Sequence, residues 1–143
     1  MIFRRMETSD FEKCAKTFMA ASLGEPWNEA WTFEQAYARV DELMASRMSR
    51  GFVAVKDGEI VGMCIGRVMT YMNFREFFVD DFNVHPDFQG RGLGSQLLIF
   101  AKNQLEPERI GSFSLLTERD FPARKFYEKN GFKVKDSLVF MHD

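Results

Sequence analysis

Gly90, Gly92 and Gly94 alternate between Gln89 and Ser95, just after a β-prone run that ends at Val84. Side chains are thus missing where an extended segment passes into an amphipathic one. A row of backbone N–H groups is exposed there, and a helix N-terminus adds partial positive charge. The arrangement suits a phosphate or pyrophosphate. A Walker loop is excluded, because Ser95 and Gln96 follow Gly94 where Lys and Ser/Thr are required. A dinucleotide fingerprint is excluded too: counted from Gly90, its last glycine would be residue 95, which is Ser95.

A second set of reactive side chains lies upstream. Asp80 and Asp81 sit in the run Glu76–Val84. A regular strand sends neighbours to opposite faces, so only one aspartate can face a bound group unless a β-bulge re-aims them. An aspartate with a reference pKa of ~3.9 needs help to act as a base near neutrality. Burial among Phe74, Phe77, Phe78 and Phe82 would supply it. The alternative is structural, a strand-end carboxylate bonded to nearby N–H groups, and Glu76 is a third candidate. The stretch Gly24–Trp31 holds Trp27, Trp31, Glu25 and Glu29. These residue types suit a cation, through cation–π contact and ion pairing, and Tyr71 in a later loop could join them. The competing role for both tryptophans is packing. His85, before Pro86, reads as an exposed turn residue, and Cys64 as a small buried strand residue rather than a nucleophile.

The elements that must position these groups follow from periodicity and punctuation. Ile2–Arg5 reads as a strand, and Thr8-Ser9-Asp10 caps a helix through about Ala21. Thr32 and Gln35 form a capping-box pattern for a second helix. Asp57-Gly58 joins the strands Gly51–Lys56 and Glu59–Met69 as a hairpin. Glu76–Val84 is a strand, and a helix follows the glycines to about Leu105, where Pro107 ends it. Gly111–Leu116 is a strand and Phe121–Asn130 a helix with Asn130-Gly131 as its C-cap. Phe132–Met141 is expected to close the chain as a strand or short hairpin. Early hairpins and a later βαβ crossover predict an α+β fold with a mixed sheet.

With 143 residues, 45% hydrophobic and 28% charged, the chain has material for one domain, 1–143, with a real core. A formal charge of −2 with no basic tract argues against a nucleic-acid partner. No apolar run approaches the ~20 residues of a membrane span. The N-terminal residues turn polar too soon for a signal peptide. Cys14 and Cys64 are far apart, so neither a zinc site nor a disulfide framework is indicated. A cytoplasmic, metal-free protein is expected.

Gln89, Gly92 and Gly94 also fill the pattern Q/R-x-x-G-x-G/A. Further on, Ala123, Phe126, Tyr127, Glu128, Lys129, Gly131 and Phe132 fit N-x-x-A-x-x-[LF]-Y-[E]-K-x-G-F, with Asp120 in place of Asn. Both segments, in this order, resemble the GCN5-related N-acetyltransferase (GNAT) superfamily. The resemblance implies a central mixed sheet of six to seven strands flanked by about four helices. Little chain follows Phe132 for the last strands, so the final one is expected to be short or to pair with a second subunit in a homodimer.

The resemblance further implies acetyl-CoA as acetyl donor, with no metal. It assigns the donor site to Phe82, Asn83, Val84, Gln89, Gly90, Arg91, Gly92, Leu93, Gly94, Ser95, Asp120, Ala123 and Phe126. Tyr127 is the implied general acid, and the base is Asp80 as first choice, acting through water, or Asp81 as second. Trp27, Glu29, Trp31 and Tyr71 are the expected acceptor contacts. The expected acceptor is the primary amine of a small polyamine- or aminoglycoside-like cation. Two alternatives stand beside it: a protein lysine or N-terminal acetyltransferase, and a non-catalytic acyl-CoA-binding sensor.

Overall fold

Asp57 and Gly58 turn the chain through φ values of 51° and 79°, and the hairpin they close anchors the sheet. A computed structural model describes residues Met1–Asp143. The strands are β1 (Ile2–Arg5), β2 (Ser49–Lys56), β3 (Glu59–Tyr71), β4 (Phe74–Val84) and β5 (Ile110–Leu115). The helices are α1 (Phe11–Leu23), α2 (Phe33–Leu43), α3 (Leu93–Leu105) and α4 (Pro122–Lys129). The sheet runs β1-β2-β3-β4-β5. Its first three pairings are antiparallel and β4–β5 is parallel, with α3 as the crossover.

Alternation along β2 and β3 divides the core. Val53, Met63 and Ile65 face α1 and α2 and pack with Phe11, Cys14, Phe18, Ala36 and Val40. Phe52, Cys64 and Phe77 face α3 and pack with Leu97, Ala101 and Leu105. The Thr32–Gln35 box forms reciprocally: Gln35 N–H donates to Thr32 Oγ1 at 3.1 Å and Thr32 N–H to Gln35 Oε1 at 3.0 Å. Before α1, Arg4 grips Asp10 with bonds of 2.7 and 2.9 Å. No helix is long and apolar enough to cross a membrane.

The sheet has five strands rather than six or seven. The expected strand Phe132–Met141 is absent, and local chemistry explains why. Gly131, at φ 91°, lets Phe132 N–H donate back to Tyr127 O at 3.0 Å. Phe132 then packs on the Tyr127 ring at 5.5 Å, so the chain folds back on α4 instead of running along β5. Lys133, Lys135 and Asp136 leave Val134 as the one apolar residue before the next turn, too little to cover a sheet edge. Leu138–Met141 stay exposed.

Candidate active site

Ile65 pairs with Asp81 and the next residue, Gly66, pairs with Val79. Asp80 is therefore an extra residue in β4, a β-bulge. It overrides the strict alternation of a regular strand: Asp80 and Asp81 line the same cavity. Gly66 permits the bend, since a Cβ there would lie 2.5 Å from the Phe78 carbonyl oxygen and 2.5 Å from the Phe77 ring. The bulge also marks where β5 leaves. The parallel register runs from Arg75↔Ile110 to Val79↔Leu115 and stops.

From Asp80 to Val84, β4 has a neighbour on one side only. The bond from His85 N–H to Val61 O, 2.8 Å, sets the phase of the ladder. Gly62↔Val84 and Cys64↔Phe82 are then the non-hydrogen-bonded pairs. The N–H and C=O groups of Phe82 and Val84 point away from β3, into the gap that β5 vacates. Gln89 Nε2 donates to the Val84 carbonyl at 2.9 Å, while the Val84 N–H faces the gap.

The glycine turn delivers the second row of donors. Gly92 caps α3 at φ 80°, with no side-chain cap and no acidic residue in the first turn. The N–H groups of Leu93, Gly94 and Ser95 have no acceptor in the chain, and the first bonded one, Gln96, reaches Gly92 O at 3.1 Å. The Leu93 side chain is buried, so only its backbone is on offer. Gly94 lets α4 close in: a Cβ there would lie 3.0 Å from the Phe126 ring, which packs on Phe82 at 5.5 Å. Arg91 and Lys56 both lie over Phe88, at 5.7 and 5.3 Å, beside a separate, smaller cavity. Asp120 is exposed in the turn before α4.

Beyond the open edge lies a cavity of about 380 Å³, within the ~300–1,000 Å³ range of small-molecule sites. Its walls include Trp27, Glu29, Trp31, Asn83, Ala123 and Tyr127. The two aspartates are not free carboxylates. Arg39, from α2, clamps Asp81 with bonds of 2.9 and 2.8 Å, and their side chains are 38% and 11% exposed. Arg67, from β3, clamps Asp80 with two bonds of 2.8 Å, at 44% and 10% exposure. Burial lifts the Asp81 carboxyl above the ordinary carboxylate range, and Arg39 opposes that lift.

Tyr127 projects from α4 into the cavity. Burial pushes its phenol well above the ordinary value of 10, so it carries its proton at neutral pH. Its hydroxyl has no partner within the chain. Cys64 is fully buried, and burial raises its thiol, which removes it as a nucleophile. The tryptophans both line the cavity and anchor the loop before α2. Trp27 meets Phe121 at 4.9 Å. Trp31 meets Phe18 at 4.7 Å, and its Nε1–H donates to Glu29 at 3.0 Å. Tyr71 lies elsewhere: it caps the far tip of the β3–β4 hairpin against Phe74, 5.4 Å away, and does not line the cavity. Six residues of β4, Phe74–Val79, separate that tip from the open edge, so a side chain at the hairpin end cannot reach it. His85 Nδ1 accepts the Asp87 N–H at 3.1 Å, a turn-capping role.

Sequence reasoning missed Arg39 and Arg67. Arg67 carried a signal, because the Asp57-Gly58 hairpin and the next turn place it one strand across from Asp80. Arg39 carried none: it lies 42 residues from Asp81 and meets it only through helix packing.

Residues 47–134 match the sequence profile of the acetyltransferase (GNAT) domain. An acetyltransferase of Yersinia enterocolitica is 26% identical over 141 residues, covering 97% of this chain and 92% of that one. The fold is similar to that of a ribosomal-protein-alanine N-acetyltransferase from Brucella melitensis, with a TM-score of 0.79 and 19% identity over 99% and 98% of the two chains. It is similar also to the aminoglycoside N-acetyltransferase AAC(6')-Iy in complex with CoA, with a TM-score of 0.78 and 18% identity over 99% and 93%. The bulged β4, its open edge and the glycine turn all fall inside the profiled residues, and the chain belongs to the GNAT family of acetyltransferases.

Proposed function

We propose that the protein transfers an acetyl group from acetyl-CoA directly to the primary amine of a small cationic molecule, polyamine- or aminoglycoside-like. The observation that carries this reading is the meeting of the open β4 edge with a carboxylate-rich cavity at the unpartnered Tyr127 hydroxyl. Acetyl-CoA fits the groups present. Its amide-bearing arm extends along Phe82, Asn83 and Val84 as an extra strand. Its pyrophosphate rests on the N–H groups of the Gln89–Ser95 turn, with Gly90 and Arg91 at its outer side. Ala123 and Phe126 wall the arm from α4, and Asp120 stands at the start of that wall. The Val84 N–H, aimed into the gap, polarises the thioester carbonyl.

On the acceptor side, Asp80, Asp81 and Glu29 outnumber Arg39 in the cavity lining, which favours a cation. The amine must shed a proton before attack, and the acidic pair takes it through water. Asp81 is suited to that step, because burial raises its carboxyl. Arg39 and Arg67 hold the pair in place. Tyr127 returns a proton to the departing thiolate. A cavity of about 380 Å³, with Trp27 in its wall held against Phe121, favours a small acceptor over a protein lysine or N-terminus. The unpartnered Tyr127 supports a catalyst over a non-catalytic acyl-CoA sensor. A cytoplasmic setting suits the two free, buried thiols.

The test is thiol release from acetyl-CoA in the presence of an amine panel. Turnover with diamines or amino sugars is the expected result. Tight CoA binding without turnover of any amine would sink the catalytic reading, and turnover confined to peptides would replace the acceptor.

A further inference from the structure

Trp31 joins two side chains of opposite charge on one wall of the cavity. Its indole N–H donates to Glu29 Oε1 at 3.0 Å, and the Arg39 guanidinium lies 5.9 Å from its ring centroid. Glu29 and Arg39 both line the cavity. Each has capacity left over. Arg39 commits Nε and Nη2 to Asp81 and is flanked by the Phe18 ring at 5.8 Å, while its Nη1 donates to nothing in the chain. A guanidinium has five N–H donors, so an outward edge remains. Glu29 is the one cavity carboxylate without an arginine. Asp80 and Asp81 are clamped, whereas Glu29 accepts only from a neutral indole. One indole therefore fixes an open donor edge beside an open anion.

We propose that Arg39 and Glu29 form a two-pronged acceptor subsite selecting an amine that carries both a hydroxyl and a second ammonium group, as in amino sugars and diamino alcohols. This rests on the acetyl-transfer reading and narrows its acceptor class. Glu29 takes the ammonium that is not acetylated, and Arg39 Nη1 donates to the hydroxyl oxygen. Asp81 thereby gains a positioning role, since it aims the Arg39 fork. An aliphatic polyamine satisfies Glu29 and leaves the Arg39 edge to water. A carboxylate would also engage Arg39, but Glu29, the cavity carboxylate without an arginine, repels a further anion.

Three matched acceptors test this: propanediamine, diaminopropanol and diaminobutyrate. The wild-type protein is expected to show a kcat/KM for diaminopropanol about tenfold above that for propanediamine, the weight of a hydrogen bond to a charged group. Arg39→Met brings that ratio close to one. Arg39→Lys, which keeps the charge and loses the fork, lowers it as well and covers the case in which the methionine variant fails to fold. Glu29→Gln lowers both diamines together and leaves the ratio standing. Because each ratio is taken within one protein, partial loss of folded material cancels. A wild-type ratio near one, a preference that survives in either Arg39 variant, or diaminobutyrate as best acceptor would overturn the subsite. If none of the three is acetylated, the acetyl-transfer reading is judged separately, on the full amine panel. The same ratio is then read as calorimetric Kd on CoA-saturated protein, where equal affinities overturn the subsite and a tenfold preference lost in Arg39→Lys upholds it.

Discussion

The two halves of the cleft are built from different materials. The donor half is backbone: the N–H groups of Phe82, Val84, Leu93, Gly94 and Ser95, left open by a diverging strand and an uncapped helix. The acceptor half is side chain, and most of its charge is already spent internally, Asp80 on Arg67 and Asp81 on Arg39. Backbone donors are untouched by any side-chain substitution except proline, which alone removes the N–H. They suit a constant ligand. Side-chain charges can be re-paired one residue at a time, which suits a variable one. Tyr127 stands where the halves meet, and the proposed mechanism gives it to the chemistry rather than to either ligand.

That division can be broken at several points. Tyr127→Phe removes the acid and nothing from the donor half. It should lower kcat by about a hundredfold or more, the usual weight of general acid catalysis, with acetyl-CoA affinity by calorimetry little changed. Loss of affinity in parallel would make Tyr127 a packing residue. Gly94→Val attacks the donor half through its packing. The new Cβ meets the Phe126 ring at 3.0 Å, and overpacking of this kind costs about 1–3 kcal/mol. The KM for acetyl-CoA should rise while the ranking of amines is unchanged. A reordered amine ranking would show that the halves are not separable.

Smaller effects separate the two clamps. Asp81→Asn leaves the half-buried Arg39 without its counter-ion and should cost about 1–2 kcal/mol, below the full penalty of a buried pair because Arg39 is partly wet. Asp80→Asn, against the more exposed Arg67, should cost under about 1 kcal/mol. Chemical denaturation measures both, and the reverse order would misplace the buried clamp. Smallest is a pH effect outside the cleft. Arg4 holds the Asp10 carboxyl below its ordinary 3.8, so its stabilisation is present above that value and fades as pH falls through the lowered one. Thermal melts between pH 3 and 7 should therefore lose their acid-side slope in Asp10→Asn.

The donor half was readable in the sequence because its signals are local. Alternate glycines, a β-prone run before them and FYEKNGF after them are contiguous, and backbone geometry follows from contiguous residues. The bulge was conceivable but not locatable, since it depends on Gly66 admitting the Phe77 ring from the neighbouring strand. The arginine clamps were out of reach for a related reason. A carboxylate's partner is chosen by packing, and α2 is placed beside β4 by its contacts with α1 and the loop holding Trp31. Tyr71 failed because a loop position says nothing about which end of a long hairpin it occupies. The last strand failed because Gly131 allowed a helix-closing bond to compete with sheet extension, and the bond prevailed.

The central claim is that acetyl-CoA is held by backbone N–H groups at the open edge of β4 and the first turn of α3. Amide NMR shifts on titration with CoA test it directly. The account predicts saturable, concerted shifts at Phe82, Val84 and Gly92–Ser95, retained in Arg39→Lys and Tyr127→Phe. Shifts centred instead on Lys56, Phe88 and Gln96 around the smaller cavity, with Val84 unmoved, would contradict it.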